Sequence, residues 1–361
     1  MHSDKGVLNM EMNDSVKVAL DAMGGDYAPA ETVKGAIAAL DADPRIRVAL
    51  VGKEDAIRQE LSKYQYQKDR IEIVPCSEMI EMAEAPVNAI RTKKDSSLVV
   101  AMNMVKDGQA DALVSSGNTG AVLAGGQLIV RRIRGVQRPP LAPLIPTANG
   151  PKLLIDCGAN VDARPQHLVQ FAHIGSIYME SVLGIKNPRV ALVNIGAEEE
   201  KGNALAKETY PLLAASKNIH FVGNIEARDI PYGKADVIVT EAFVGNVILK
   251  LYEGLAKVLM KGLKDSIYSS ARSKIGGALL KPALKDTLGQ FDVSRYGGAP
   301  LLGLRGLVVK THGSAKANEI RNTILQCLTF KDQDINGKIL KYLEEESAAE
   351  KESVDKEERD K

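Results

Sequence analysis

The chain has 361 residues, of which 47 are lysine or arginine and 46 are aspartate or glutamate. This near balance of charge argues against a nucleic-acid partner, because binding to a phosphate backbone needs an excess of clustered cations. The absence of tryptophan and the presence of only 5 phenylalanines leave few rings on which bases could stack.

Residues 1–15 are polar and lack the apolar core of a secretory signal, so we expect a flexible N-terminal extension. No later stretch is long and uncharged enough to cross a bilayer. The cysteines, Cys76, Cys157 and Cys327, are far apart and outside any C-x-x-C spacing, which predicts neither a disulfide framework nor a metal site. These features indicate a cytoplasmic protein.

Six short β-branched or aliphatic runs each stop at a small, glycine-bearing polar turn, as strands of an α/β sheet do. The runs are residues 16–20, 112–114, 153–155, 190–193, 237–240 and 307–310. Helical periodicity alternates with them at 32–40, 96–106, 164–183 and 202–216. This alternation predicts an α/β fold with a mostly parallel sheet covered by helices on both faces. We expect the six turns to share one edge and to form an anion site, because helices starting there present unpaired N–H groups.

The patterned part of the chain, residues 16–343, contains no low-complexity linker and no repeat, so we expect a single domain. Within it, the segment 255–291 has leucines at helical spacing and seven lysines or arginines against two aspartates. It is predicted to be a basic, amphipathic helical excursion that forms a dimer contact or contacts a membrane. Residues 344–361 are mostly charged, which is typical of a helical overhang or a disordered tail.

The turn at 115–120 reads SSGNTG and places Ser116, Asn118 and Thr119 directly before a helix start. Such a turn can cradle a phosphate, but serine, asparagine and threonine are also ordinary helix caps, and both interpretations remain open. It is not a Walker A loop, because the lysine that should follow the second glycine is missing.

The turn at 21–26 reads DAMGGD and places Asp21 and Asp26 around Gly24 and Gly25. Carboxylates bind phosphate poorly, so they would serve better to hold a lysine or arginine, to accept loop N–H groups or to bind a metal. For Asp26, capping of the next helix is the alternative. The glycines are not spaced as G-x-G-x-x-G, so a dinucleotide site is not predicted.

Two further polar residues have two interpretations each. Lys201 follows three glutamates and is either a solvated loop charge or a functional cation. Asn246 either caps a helix or donates a hydrogen bond to an oxyanion. His173 and His312 accompany no obvious serine or cysteine nucleophile, so a catalytic triad is not predicted.

Six ordered sequence blocks span nearly the whole patterned chain: VKVALDAMGGDYAP at 16–29, RTKKDSSL at 91–98, LVSSGNTGAVL at 113–123, LLIDCGANVDARPQHLV at 153–169, GNIEARD at 223–229 and YGGAPLLGLRGLVVKTHG at 296–313. Together they closely resemble the bacterial phosphate acyltransferases of phospholipid synthesis.

The resemblance implies transfer of a long fatty acyl group from acyl carrier protein to inorganic phosphate. The acyl phosphate would then serve a membrane glycerol-3-phosphate acyltransferase. The implied fold is a three-layer α/β/α arrangement similar to isocitrate and isopropylmalate dehydrogenases and to phosphotransacetylase, and the implied assembly is a homodimer. The family uses no nucleotide cofactor and no metal, and it associates peripherally with the inner face of the cell membrane, which would fit the helical excursion.

By position, the resemblance assigns Lys201 and Asn246 to the acyl-transfer centre. The stretch 240–246 reads TEAFVGN, where the family more often has TDGFTGN, so Glu241 and Val244 depart from the pattern. Our hypothesis gives phosphate binding to Ser116, Asn118 and Thr119, charge neutralisation to Lys201 and orientation of the thioester oxygen to Asn246. The supporting residues would be Asp21, Gly24, Gly25, Asn160, Asp162 and His312.

Three alternatives stay open from the sequence. One is a phosphotransacetylase-like enzyme acting on a short acyl-coenzyme A, and another is a dehydrogenase of the same fold. The third is a membrane-associated scaffold without activity. Phosphate-dependent release of thiol from a loaded carrier protein separates the main interpretation from all three.

Overall fold

The computed structural model describes residues 15–290 and 293–359. Of the predicted N-terminal extension, residues 1–14 lie outside the described residues, and so do Phe291 in the predicted helical excursion and residues 360 and 361 of the predicted tail. The chain divides into two compact units. The first unit contains the residues up to Gly135 and those from Ser294 onward, and the second unit is Val136–Val293.

The strands, numbered along the chain, are β1 (Val16–Asp21), β2 (Ile46–Gly52), β3 (Ile71–Pro75), β4 (Ala112–Ser115), β5 (Leu144–Ile145), β6 (Lys152–Ile155), β7 (Arg189–Asn194), β8 (His220–Glu226), β9 (Val237–Val239), β10 (Ala299–Pro300) and β11 (Leu307–Lys310). The helices are α1 (Ala30–Ala42), α2 (Glu54–Leu61), α3 (Pro86–Thr92), α4 (Ser97–Lys106), α5 (Thr119–Gly125), α6 (Pro165–Leu183), α7 (Ala204–Ala215), α8 (Ala242–Tyr268), α9 (Ala271–Gln290), α10 (Ala317–Asp332) and α11 (Ile335–Arg359).

The first unit is built on a six-stranded sheet in the order β10-β11-β4-β1-β2-β3. Its neighbouring strands are parallel except for β10 and β11. Helices α1 and α10 pack against each other and against β1, while α4 packs against β1, β2 and β4. Gly35 allows α1 and α10 to approach closely, because a Cβ there would lie 2.7 Å from the side chain of Ile320.

The strand order of the first unit reverses next to β1. The chain moves outward from β1 to β2 and β3 and then returns to the other side of β1 to form β4. Because parallel crossovers are right-handed, this reversal places α1 and α4 on opposite faces of the sheet. It also opens a crevice between the carboxyl ends of β1 and β4, the place where open α/β sheets bind ligands.

The second unit is built on a five-stranded sheet in the order β5-β6-β9-β7-β8, parallel except for β5 and β6. Helices α6 and α7 pack against each other, and the first turns of α8 pack on the sheet through Ile248, which joins Leu154, Ala191 and Ile238 in the core. The predicted α/β fold with mostly parallel strands and helices on both faces is therefore confirmed.

The expectation that all six turns share one edge is wrong. The turns that begin at Asp21, Ser115 and Thr311 follow strands of the first sheet, and the other three follow strands of the second. The reason is the strand pairing. The second run forms β4, which pairs with β1 and β11, whereas the third run forms β6, which pairs with β5 and β9. These two runs, consecutive in the list of six, therefore lie in different sheets. Each of the two compact units contains one of these sheets, and the single domain expected for residues 16–343 stays a prediction.

The predicted excursion consists of the helices α8 and α9, which pack against each other. Helix α8 begins at Ala242, well before residue 255. The large apolar side chains of α8 that are more than half exposed include Leu251, Leu255, Val258 and Leu259. The predicted tail continues α11 as far as Arg359. Among the described helices, none combines the length and apolar character that crossing a membrane requires.

Candidate functional site

Asp21, the last residue of β1, is buried and joins two neighbouring elements. Its Oδ1 accepts a hydrogen bond from Ser97 Oγ at 2.6 Å, and its Oδ2 accepts one from Ser115 Oγ at 2.7 Å. Burial raises the pKa of Asp21 above its ordinary value, and the hydrogen bonds from the two serines oppose that rise. Since Ser115 Oγ also accepts from Gly117 N at 3.0 Å, the carboxyl group fixes the turn after β4 to the end of β1.

Gly24 and Gly25 let the first turn lie directly against the turn after β4. A Cβ on Gly24 would lie 2.5 Å from Asp21 Oδ2 and 2.8 Å from Gly117 N. Gly25 has a φ of +100°, and a Cβ there would lie 2.8 Å from Ser116 Cβ. Side chains at these two positions would therefore push the turns apart.

The turn after β11 completes the cluster in the first unit. Ser116 Oγ and Thr311 Oγ1 lie 2.6 Å apart in a buried hydrogen bond. His312 Nδ1 accepts from the backbone N–H of Ser314 at 3.1 Å, so the neutral ring carries its proton on Nε2. Three turns from three adjacent strands thus meet at the strand-order reversal, with hydroxyl groups and backbone N–H groups close together.

Asn118 has a structural role at this turn. Its Oδ1 accepts from Ala121 N at 3.0 Å and caps α5, while its Nδ2 lies 3.0, 3.1 and 3.2 Å from three backbone carbonyls of residues 81–84. The helix-cap interpretation therefore holds for this side chain, and its contact with phosphate stays a prediction. Thr119, the first residue of α5, is exposed.

The capping role considered for Asp26 is wrong. Pro29 is the N-cap residue of α1, and no side chain of the described residues caps that helix. Asp26 instead donates its backbone N–H to Gly313 O at 2.8 Å, which ties the first turn to the turn after β11.

In the second unit, buried Asp156 organises the turn after β6. Its Oδ1 accepts from Leu141 N at 2.9 Å, and its Oδ2 accepts from the backbone N–H and the side-chain amide of Asn160 at 2.8 and 2.7 Å. Burial raises the pKa of Asp156, and these hydrogen bonds oppose the rise. Gly245 lets α8 start against this turn, because a Cβ there would lie 1.9 Å from Asp156 O.

Asn246 is exposed in the second turn of α8, and Glu241 caps the helix in its place. The Glu241 carboxylate accepts from Phe243 N at 2.5 Å and from Val244 N at 2.9 Å. The alternative that Asn246 caps this helix is therefore wrong. No hydrogen bond within the described chain occupies its amide.

Lys201 lies in the turn after β7, and β7 is the neighbour of β9 in the sheet. Its backbone is fixed, because Lys201 O accepts from Asn194 Nδ2 at 3.0 Å and Lys201 N donates to Glu198 O at 3.2 Å. Its side chain is exposed, and across residues 15–290 and 293–359 no carboxylate forms an ion pair with its ammonium group. Lys201 thus lies in the turn after β7, and Asn246 lies near the start of the helix that follows the adjacent strand β9.

A family model described as "Fatty acid synthesis protein" matches residues 16–338. The chain belongs to this family. Relatives that carry the name phosphate acyltransferase are closely similar. The relative from Clostridium acetobutylicum is 49% identical over 328 residues, covering 91% of this chain and 99% of the relative. The relative from Alkaliphilus oremlandii is 49% identical over 330 residues, covering 91% of this chain and 97% of the relative. The resemblance found in the sequence is confirmed, and the protein is an enzyme of this acyltransferase family.

Solved structures support the fold. A phosphotransacetylase from Streptococcus pyogenes superposes with a TM-score of 0.57 at 17% identity, covering 88% of this chain and 94% of that one. The EutD phosphotransacetylase from Staphylococcus aureus superposes with a TM-score of 0.55 at 16% identity and covers the same shares of the two chains. At these identities the likeness shows the fold alone, and it agrees with the predicted phosphotransacetylase-like α/β/α arrangement.

The site residues predicted for this acyltransferase fall into two sets. The first unit holds Asp21, Gly24, Gly25, Ser116, Asn118, Thr119 and His312, and the second holds Asn160, Asp162, Lys201 and Asn246. Sequence reasoning missed Ser97, Thr311 and Asp156 as supporting residues. Ser97 is 76 positions from Asp21, and no spacing pattern signals such a contact. The only signal was that all three lie inside the blocks that carry the family resemblance.

Proposed function

We propose that this enzyme transfers a long fatty acyl group from acyl carrier protein to inorganic phosphate and releases acyl phosphate for a membrane glycerol-3-phosphate acyltransferase. The main support is the meeting of three polar, glycine-bearing turns at the strand-order reversal of the first unit, where hydroxyl and backbone N–H groups suit a small oxyanion. The names of the relatives support phosphate as the acceptor.

In this proposal, the Ser116 hydroxyl, Thr119 and backbone N–H groups of the turn at 116–120 hold phosphate, and Asn118 keeps the turn in place. A phosphate oxygen attacks the thioester carbonyl, so that a C–O bond forms and the C–S bond breaks. The departing thiolate takes up a proton and leaves as the carrier's thiol. Because phosphate is itself the nucleophile, no covalent enzyme intermediate is needed. Holding the two reactants in near-attack geometry contributes about 7–11 kcal/mol.

Lys201 and Asn246 act on the charge that develops during transfer. The ammonium group neutralises negative charge at the acyl-transfer centre, and the Asn246 amide donates to the thioester oxygen as it becomes negative. Both side chains are exposed and have no competing partner in the described residues, so they are available to substrates. A single donor of this kind contributes about 3–4 kcal/mol to the transition state.

The test is release of thiol from palmitoyl-loaded carrier protein in the presence of phosphate. Lys201→Ala and Asn246→Ala should each lower turnover by about 100- to 1000-fold and leave the fold intact by circular dichroism. Lys207→Ala, an exposed lysine on α7, is the matched control and should retain normal turnover. Near-normal turnover in both site variants would contradict their roles. Turnover of acetyl-coenzyme A but not of the loaded carrier would favour the short-chain alternative.

The proposal also includes a cytoplasmic homodimer that associates with the inner face of the cell membrane through α8 and α9. It is supported by exposed apolar side chains of α8, among them Leu251, Leu255, Val258 and Leu259. Exposed lysines on the same two helices support it as well: Lys257, Lys261, Lys264 and Lys281. Apolar side chains beside cations are typical of surfaces that dock on anionic lipid.

A further inference from the structure

A group of unneutralised basic side chains surrounds the start of α6 in the second unit. Arg164 directly precedes the helix and is exposed, and His167 in the first turn is only 8% exposed. His167 Nδ1 accepts from the backbone N–H of Arg164 at 3.1 Å. The proton of the neutral ring therefore lies on Nε2, and within the described residues nothing accepts a hydrogen bond from it.

Arg138 is held beside the same helix start by its two neighbours. Gln137 N donates to Gln170 Oε1 at 2.8 Å, which fixes the segment to the second turn of α6. Pro139 O accepts from Asn160 Nδ2 at 3.0 Å, which fixes it to the turn that leads into the helix. Arg138 itself is exposed between these two anchors.

None of these cations has an acidic partner in the part of the chain that the structure describes. Neither guanidinium group forms an ion pair there, and exposed Asp162, two residues before Arg164, pairs with neither. Burial lowers the pKa of His167, and the charges of Arg138 and Arg164 lower it further. Two arginines and one buried N–H donor at a helix start therefore present positive potential that no group of the described chain offsets.

We propose that Arg138, Arg164 and the Nε2–H group of His167 form a binding site for a phosphoryl oxyanion. Arginine binds phosphate oxygens in a two-pronged geometry, and the Nε2–H group of His167 adds a further donor. The choice of ligand rests on the proposed function, which supplies two sources of this chemistry. One is free inorganic phosphate, and the other is the phosphate of the pantetheine arm that carries the thioester.

The test measures anion binding to the full chain by the NMR signal of the His167 ring, assigned with His167→Asn. Inorganic phosphate, 4′-phosphopantetheine and pantetheine without phosphate are titrated separately. We expect a phosphate-bearing ligand to shift the signal and to raise the pKa of His167, while pantetheine leaves both unchanged. The phosphate compound that binds more tightly identifies the source. A shift by pantetheine equal to that by 4′-phosphopantetheine, or no shift by any ligand, would overturn the site.

Variants make the test specific. Arg138→Ala and Arg164→Ala should each weaken binding by about tenfold, and Arg164→Lys should restore part of it. Arg272→Ala on α9 removes an exposed arginine elsewhere and should have no effect. Equal affinities in all variants, or an equal loss with Arg272→Ala, would refute the proposal. Because binding is measured without turnover, normal thiol release with a failed binding test leaves the proposed function standing.

Discussion

The Asp21 carboxyl group shows how one buried residue can hold the predicted phosphate turn. Replacement by asparagine leaves one acceptor oxygen for two serine hydroxyls and turns an N–H donor toward one of them. We expect Asp21→Asn to lower the free energy of unfolding by about 1–3 kcal/mol and to raise the KM for phosphate, because the turn at 115–120 loses its attachment. Urea unfolding and initial-rate kinetics measure the two effects.

A matched control for this change is Asp95→Asn. Asp95 also accepts from a serine, with Ser77 Oγ at 2.5 Å and Ser77 N at 2.8 Å, but it is exposed. Water can replace the lost acceptor there, so the loss of stability should be smaller. Equal losses in the two variants would show that burial of Asp21 contributes nothing.

Asp236 gives the enzyme an acid-sensitive contact in the second unit. It is buried and pairs with Lys152 Nζ at 2.7 Å and Arg189 Nε at 3.0 Å. Burial alone would raise its pKa, but the hydrogen bonds from Arg189 and Lys152 outweigh burial and hold the pKa of Asp236 well below its ordinary value. A carboxyl group with a lower pKa in the folded state stabilises the fold above the unfolded-state pKa of about 3.9, and this stability is lost as pH falls further.

We therefore expect Asp236→Asn to lower the free energy of unfolding at pH 7 by about 3–5 kcal/mol, because Lys152 remains buried without its counter-charge. Its stability should also fall less steeply than that of the wild type between about pH 5 and pH 3. Urea unfolding across this range measures both. Asp229→Asn breaks the pair with the largely exposed Lys234 and should cost at most about 1 kcal/mol. Parallel pH profiles for wild type and Asp236→Asn would contradict the assignment.

At the scale of elements, the start of α8 depends on the turn after β6. A Cβ at Gly245 would meet a backbone oxygen, which cannot rotate away as a side chain can. We expect Gly245→Ala to lower the free energy of unfolding by at least about 1–3 kcal/mol and to reduce turnover, because α8 carries Asn246. Gly254→Ala is the control in the same helix, since a Cβ there has nothing within 4 Å. It should raise stability by up to about 1 kcal/mol through helix propensity, measured in the same unfolding experiment.

The elements differ in how well the sequence predicted them. Each of the six glycine-ended runs forms a strand, because the pattern of apolar residues and the turn chemistry are both local. Helix α8 starts at Ala242 rather than after an Asn246 cap, because the Glu241 carboxylate accepts from the first backbone N–H groups of the helix. Strand pairing was not predictable in the same way, since nothing in the sequence of β4 indicates whether β6 or β11 will pair with it.

At the scale of the whole molecule, the sequence predicted which residue types form the turns better than it predicted the buried contacts that hold the turns in place. Glycine, serine and asparagine at strand ends indicated the anion turn, because those residue types carry their conformational preferences with them. The contacts of Asp21 with Ser97 and of Asp156 with Leu141 depend on chain segments that meet only after folding. The family resemblance, rather than any local pattern, selected Lys201 and Asn246 from many surface polar residues.

Membrane association is a property of the whole molecule. The contribution of the lysines on α8 and α9 can be measured separately from that of the apolar side chains. We expect conversion of Lys257, Lys261, Lys264 and Lys281 to glutamate to abolish sedimentation with vesicles containing anionic phospholipid. Four lost attractions of about 1 kcal/mol each lower the partition coefficient by about 1000-fold, before any repulsion by the new carboxylates is counted. Thiol release from soluble carrier protein should stay normal.

The control for net charge replaces four exposed lysines elsewhere, Lys34, Lys53, Lys68 and Lys186, with glutamate. That variant should still sediment with the vesicles, because lipid attraction depends on charges within about a Debye length of the surface, roughly 8 Å at physiological salt. If the two quadruple variants sediment alike, α8 and α9 are not the docking surface. Their exposed apolar side chains would then serve the dimer contact, and replacing Leu251 and Leu255 with aspartate should dissociate the dimer in sedimentation equilibrium.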